Sequence, residues 1–233
     1  METVKAKKLA RITGVLYLVI IICAGFSQGA VRELLVIDAD AAATAKNILN
    51  DSFLFRVGLV TDLIAFLCDA GVAILFYYLL KPVSKGLALT SAAFRLIAHP
   101  AIGSLNLVNH YAALKVLESP GFISTFDPVQ AQELSLMFME LHNMGYLIAG
   151  AFFGFHCLLL GYLLYRSDWF PEWTGILLIL AAFGYLIESF GIVLLPEMKN
   201  IFGWIVGLSA GIGEVSLTFW LIIKGVRVTD QHI

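Results

Sequence analysis

Residues 53–80 form an apolar run of 28 residues interrupted by only three charges, Arg56, Asp62 and Asp69. About 20 predominantly apolar residues are enough to cross the hydrocarbon of a bilayer as a helix, and inside that hydrocarbon each backbone N–H and C=O must be satisfied within the segment. Five further runs have the same character: 9–30, 87–117, 136–165, 174–195 and 202–223. Their ends are punctuated by Lys81-Pro82 after the second run, Arg166-Ser167-Asp168 after the fourth and Pro196 after the fifth. The chain is 60% hydrophobic and 14% charged, where a soluble domain carries about 25% charged residues. The runs predict an all-α integral membrane bundle of about six transmembrane helices, a single domain over residues 1–233, with the lipid bilayer as its partner.

Lys5, Lys7 and Lys8 precede the first run as the charged region of a signal peptide would, but the run has no clean small-residue cleavage site. It reads as an uncleaved first helix. The third and fourth runs are longer than a bilayer requires, which predicts tilt or a break at Pro100. Residues 38–51 read as a short helix that Asp40 can cap and to which Ile48 and Leu49 give an apolar face. Glu118-Ser119-Pro120-Gly121 reads as a turn, and Asp127-Pro128 as the start of another helix. Both connections fall on the same side of the membrane and are expected to rest on the surface as amphipathic connectors, with a small cap formed by the two as the alternative. Glycines at Gly150 and Gly154, and at Gly203, Gly207, Gly211 and Gly213, form stripes that let helix backbones approach. Packing inside the bundle is their expected use, with a homo-oligomer seam, or a place in a larger membrane complex, as the sharper alternative.

With the N-terminus inside, the inner segments hold Lys5, Lys7, Lys8, Arg11, Lys81, Lys85, Arg166, Lys224 and Arg227, and the outer ones Arg32, Lys46, Arg56, Lys115 and Lys199. Nine basic residues against five place both termini in the cytoplasm. Trp169, Trp173 and Trp204 fall near span ends, where interfacial aromatics belong. A net charge of −2 argues against nucleic acid as a partner, and the chain has no Gly-rich phosphate loop. Cys23, Cys68 and Cys157 are isolated in apolar runs and read as free thiols.

Several strings carry a resemblance: Leu9-Ala-Arg-Ile-Thr-Gly-Val-Leu-Tyr17, Asp40-Ala-Ala-Ala-Thr-Ala-Lys-Asn-Ile48 leading to Phe55-Arg56, Leu141-His142 through Gly145-Tyr146-Leu147-Ile148, and Phe153-Gly-Phe-His-Cys-Leu-Leu-Leu-Gly-Tyr-Leu-Leu-Tyr-Arg-Ser167. Together they resemble the prokaryotic membrane family of unknown function DUF4386, over roughly Lys8 to Lys224. The resemblance implies a polytopic protein of a prokaryotic cell membrane and supplies no catalytic residues.

A charge at the bilayer centre costs about 2.5–3.5 kcal/mol even on permissive scales, so each one needs a partner or a use. Asp69 lies roughly 16 Å, and Arg95 roughly 12 Å, from the inner ends of neighbouring antiparallel runs, which predicts an Asp69–Arg95 ion pair. Asp62, Glu140, His142, Glu188 and Glu214 are expected to line a polar cavity open to the outside, with His142 at its centre because imidazole titrates near neutral pH. His142 and His156, fourteen residues apart, share a face about 21 Å long. His99 and His110, eleven apart, share another, so that His110 would meet His142 and His99 would meet His156. Two bis-histidine sites of that kind would suit haem b, with Gly145 and Gly103 making room for the rings. A divalent metal is the other candidate cofactor, although no short metal-ligand motif is present. The leading reading is a non-enzymatic protein, with no residue assigned as catalytic, that binds or moves a small molecule, ion or proton. The alternatives are a haem b electron-transfer protein, a structural or assembly subunit, and a membrane metal-dependent hydrolase.

Overall fold

The computed structural model describes residues 3–119, 121 and 127–227, and among these residues the chain is helical with no strand. Helix α1 (Thr3–Gly25) runs unbroken into a π-helical segment, Phe26–Arg32, and a last turn, α2 (Glu33–Leu35). Next come α3 (Ala41–Asn50), α4 (Ser52–Leu80), α5 (Lys85–Leu96), a second π-helical segment (Ile97–Gly103), and α6 (Ser104–Glu118). The last elements are α7 (Pro128–Tyr165), α8 (Glu172–Leu194), a 3-10 turn (Pro196–Met198) and α9 (Lys199–Ile223). Five helical stretches are long and apolar enough to cross a membrane: Thr3–Leu35, Ser52–Leu80, Pro128–Tyr165, Glu172–Leu194 and Pro196–Ile223.

The third expected span is helical from Lys85 to Glu118 but is built in three pieces, with Pro100 inside the π-helical middle. Proline has no N–H to give to the carbonyl four residues back, and its ring crowds that carbonyl. A π turn takes up the misfit without breaking the helix. The separate helix expected at Asp127-Pro128 is instead the first turn of α7, whose 38 residues extend about 57 Å. Nothing between Pro128 and Gly145 interrupts it, and Asp127 Oδ1 accepts from the N–H groups of Val129 (2.8 Å) and Gln130 (3.1 Å). Pro120, in the expected turn after α6, lies outside the described residues.

The chain divides into two compact units. One comprises Met1–Val19, Leu67–Ala101 and Leu147–Ile233. In it the glycines of α7 and α8 face each other at backbone distance. A Cβ on Gly161 would lie 2.8 Å from the Gly175 carbonyl oxygen, and one on Gly175 would lie 2.6 Å from the Tyr165 nitrogen. Gly150 and Gly154 approach Ser189 and Leu186 in the same way, and Gly213 approaches the Leu177 carbonyl at 2.8 Å. Among the described residues Gly203, Gly207 and Gly211 have nothing within 4 Å of where a Cβ would stand, so that stripe packs against none of them. This unit is inside out for water and right for lipid: Leu180, Phe183, Phe190 and Leu194 are more than half exposed, while Arg95 and Asp69 are buried.

The second unit comprises Ile20–Phe66 and Ile102–Tyr146. Asp40 caps α3 by accepting from Ala43 N (2.8 Å), after a turn that places Ala39 in the left-handed region at φ 58°. Thr44 Oγ1 closes this turn by accepting from Ile37 N at 2.9 Å. The apolar face of α3 does not rest on the surface as expected: Ala45 and Ile48 are buried in a core with Leu35, Phe55, Leu114 and Met139. The amphipathic pattern is satisfied by protein, because α6 and α7 present apolar side chains to it.

Gly161→Val is therefore expected to lower stability by about 1–3 kcal/mol through overpacking of the α7–α8 contact. Gly207→Val on the open stripe of α9 should leave it almost unchanged, and thermal unfolding of both variants in detergent measures the contrast.

Candidate functional site

In the first unit the side chains around Arg95 join into one network. Arg95, the last-turn residue of α5, is completely buried. Its Nη2 donates to Asp69 Oδ1 of α4, and its Nη1 donates to His156 Nε2 of α7 at 3.0 Å. Since a guanidinium only donates, His156 Nε2 is the acceptor, and its Nδ1–H donates to the Ser91 carbonyl at 2.9 Å. Asp69 Oδ2 accepts from His99 Nδ1 at 2.9 Å. The Arg95 Nη1 also reaches Tyr17 OH of α1 (3.4 Å), whose hydroxyl donates to Glu214 Oε2 of α9 at 2.9 Å. Tyr185 OH of α8 donates to the other Glu214 oxygen at 2.5 Å. Each carboxylate oxygen of Asp69 and Glu214 thus has a donor. The guanidinium carbon lies 4.6 Å from the Tyr17 ring centre and 5.0 Å from that of Phe153, and such cation–π contacts reach about 2 kcal/mol when desolvated. His99, in the second π-helical segment, is partly open, with its side chain 20% exposed.

The second unit holds a different cluster. Arg32, at the end of the first π-helical segment, donates from Nη1 to Asp62 Oδ2 (2.5 Å) and Ser27 Oγ (2.7 Å), and from Nε to Gln28 Oε1 (2.9 Å). Ser27 Oγ donates to the Gly58 carbonyl at 3.0 Å, tying the segment to α4. The Arg32 guanidinium stands 5.2 Å over the Tyr146 ring, Tyr146 lies 5.0 Å from the His142 ring, and His142 lies 5.5 Å from His110. His110 Nε2 donates to the Phe55 carbonyl at 2.8 Å, and His142 Nδ1 donates to that of Asn106 at 3.2 Å. In return Asn106 Nδ2 donates to the His142 carbonyl at 2.7 Å. These two bonds join α6 to α7.

The residues expected in one outer cavity fall in both units. Asp62 and His142 belong to the second unit's cluster, and Glu214 is held by the two tyrosines of the first unit. Glu140 is exposed. Glu188 is half-buried and makes no hydrogen bond or ion pair among the described residues. Asp69 and Arg95 are in direct contact.

His110 and His142 come together, whereas His99 and His156 are joined only through Phe153 and the Arg95–Asp69 pair. His110 and His142 touch edge to face, and Phe55 stacks on His110 at 4.0 Å. Phe153 packs against both His99 and His156. The room beside Gly145 is filled by the Asn106 amide, and that beside Gly103 by the Phe66 ring. A porphyrin would have to displace these contacts. Among the described residues no group of three or more His, Cys, Asp or Glu is arranged to hold a metal ion.

Sequence reasoning missed Arg32, Tyr17, Tyr146 and Tyr185. Arg32 counts as an outer-loop residue in the sequence because the apolar run ends at Ala30, yet it is buried. The signal for it was Asp62, which needed a cation.

A model of the family described as a domain of unknown function (DUF4386) matches residues 12–225. The chain belongs to this family. An uncharacterised protein of Archaeoglobus fulgidus (strain ATCC 49558 / DSM 4304 / JCM 9628 / NBRC 100126 / VC-16) is 31% identical over 164 residues, which is 70% of this chain and 80% of that protein. No solved structure matches. Within this DUF4386 chain both clusters lie inside the matched range.

Arg95→Ala strands the buried Asp69 carboxylate and is expected to cost about 3–5 kcal/mol. The double change Asp69→Ala with Arg95→Ala should cost less than the sum of the two single changes. Additive losses in a double-mutant cycle, read from unfolding in detergent, would show that the pair carries no coupling.

Proposed function

We propose that this DUF4386 protein is a non-enzymatic, multi-pass protein of a prokaryotic cell membrane that binds and moves protons at its buried network. The observation that supports this reading is the charge balance of the cluster around Arg95. Two carboxylates, Asp69 and Glu214, face the Arg95 guanidinium, and the imidazoles of His156 and His99 complete the group. With both carboxylates ionised and neither imidazole protonated the cluster carries one uncompensated negative charge, which a low-dielectric interior does not tolerate. One further proton restores neutrality. His99, bonded to Asp69 and partly exposed, and Glu214, between two hydroxyls, are the groups that can hold it. Side-chain carboxylates, imidazoles and phenols in hydrogen-bonded sequence are the material of intramembrane proton relays. Arg95 never releases its proton, so its part is to fix the geometry and charge.

The complete satisfaction of the carboxylate oxygens also favours a second reading, a structural or assembly subunit whose network only holds helices together. Proton flux separates the two. Protein in phosphatidylethanolamine–phosphatidylglycerol vesicles with an internal pH dye and a clamped potential should dissipate an acid pulse faster than empty vesicles. Asp69→Asn and Glu214→Gln should return the rate to that of empty vesicles while the protein stays folded. A wild-type rate equal to the empty-vesicle rate would overturn proton movement and leave the structural reading.

The orientation belongs to the same proposal. The nine basic residues assigned to one side support a cytoplasmic location for both termini. On a background with Cys23, Cys68 and Cys157 replaced, Asn50→Cys is expected to react with an impermeant thiol reagent on intact cells, and Lys85→Cys only after permeabilisation. The reverse pattern would invert the assignment.

A further inference from the structure

Among the described residues the second unit leaves four polar atoms without a well-formed hydrogen bond: Asp62 Oδ1, His110 Nδ1, His142 Nε2 and the Tyr146 hydroxyl, which is turned toward Asp62 and Arg32. Asp62, His110 and His142 are no more than 1% exposed. They are not scattered. Arg32 joins Asp62 to the Tyr146 ring, and the Tyr146, His142 and His110 rings succeed each other at 5.0 and 5.5 Å. Buried polar atoms are almost always satisfied, and each one left alone costs about 1–3 kcal/mol. Four in one connected cluster point to an occupant.

The tautomers set the chemistry of that occupant. His110 donates its Nε2–H to the Phe55 carbonyl and His142 donates its Nδ1–H to that of Asn106, so the remaining ring nitrogens carry bare lone pairs. With Asp62 Oδ1 they make three acceptors, and Tyr146 adds one hydroxyl. The site therefore asks for donors. It does not ask for charge, because the Arg32 cation and the Asp62 anion already cancel at 2.5 Å. A single metal ion does not fit, since no three carboxylate, thiol or imidazole groups converge among the described residues.

Arg32 also borders a half-open cleft of about 100 Å³ together with Gln28, Glu33, Asp38, Met139 and Asn143. That volume equals about three water molecules at about 30 Å³ each. Arg32 is thus shared by the cleft and the buried cluster.

We propose that the Asp62–Tyr146–His142–His110 cluster is a binding site for small neutral hydrogen-bond donors, reached through the cleft at Arg32. Water is the smallest such ligand, and a hydroxyl- or amide-bearing solute of a few heavy atoms has the same chemistry. This site stands apart from the proton-binding reading of the Arg95 network, and it holds or fails without it.

Magnetic-resonance spectra of the full chain in lipid vesicles, labelled with 15N at both imidazole nitrogens, test it. Resonances are assigned with His110→Phe and His142→Phe. Unprotonated His110 Nδ1 and His142 Nε2 signals that receive magnetisation from water are expected, with the His142 transfer lost in Tyr146→Phe. Adding glycerol or urea distinguishes the sources: displaced shifts at both nitrogens, with reduced transfer from water, identify a solute site, and unchanged spectra identify a water site. The absence of water transfer to both nitrogens, or a His142 proton found on Nε2, would overturn the proposal.

Discussion

A charged side chain in hydrocarbon has to be neutralised on the spot, and both halves of this protein are arranged around that requirement. A guanidinium stays protonated under all ordinary conditions, so Arg95 and Arg32 cannot escape by titrating as a lysine could. Each is met by an aspartate of α4, Asp69 and Asp62, and each lies over an aromatic ring. The cost of leaving either carboxylate or guanidinium alone would exceed most of what one helix contact contributes. The helices that meet at Arg95, namely α1, α4, α5, α7, α8 and α9, are held in register by that demand as much as by their apolar faces.

The two π-helical segments serve the same end. An extra residue in a turn rotates the helix beyond it, and such bulges recur at functional positions. The first ends on Arg32, and its Ser27 and Gln28 both accept from that guanidinium. The second begins two residues after Arg95 and carries His99, which meets Asp69. Pro100 explains the second segment. In the first, the hydrogen bonds of Ser27 and Arg32 hold the widened turn against α4.

The clusters differ in what they leave unsatisfied, and this difference assigns their chemistry. Around Asp69 and Glu214 each carboxylate oxygen has a donor, Arg95 Nε is left without an acceptor, and no acceptor among the carboxylates is left open. Around Asp62 the charge is balanced, and the remaining need is for donors. A neutral donor meets that need.

The sequence determined that this chain crosses a membrane, because 20-residue apolar runs have no other favourable place to be. It also determined that Asp69 and Arg95 would be close, since a short loop joins their helices and a buried charge must find an opposite one. The cap of α3 at Asp40 was legible for a local reason: the acceptor sits three residues before the amide it serves. The tertiary structure alone decided that Arg32 lies inside, that α3 is packed between α6 and α7 residues, and that Tyr17 and Tyr185 close on Glu214. It alone placed Asp62 in one cluster and Glu214 in another, and left Glu140 exposed. The pattern of apolar residues says which segments leave water, but a helix face acquires its partners only when other helices are laid against it. The positions of those helices depend on residues such as Gly161, Gly175 and Asn106, whose contacts lie far away in sequence.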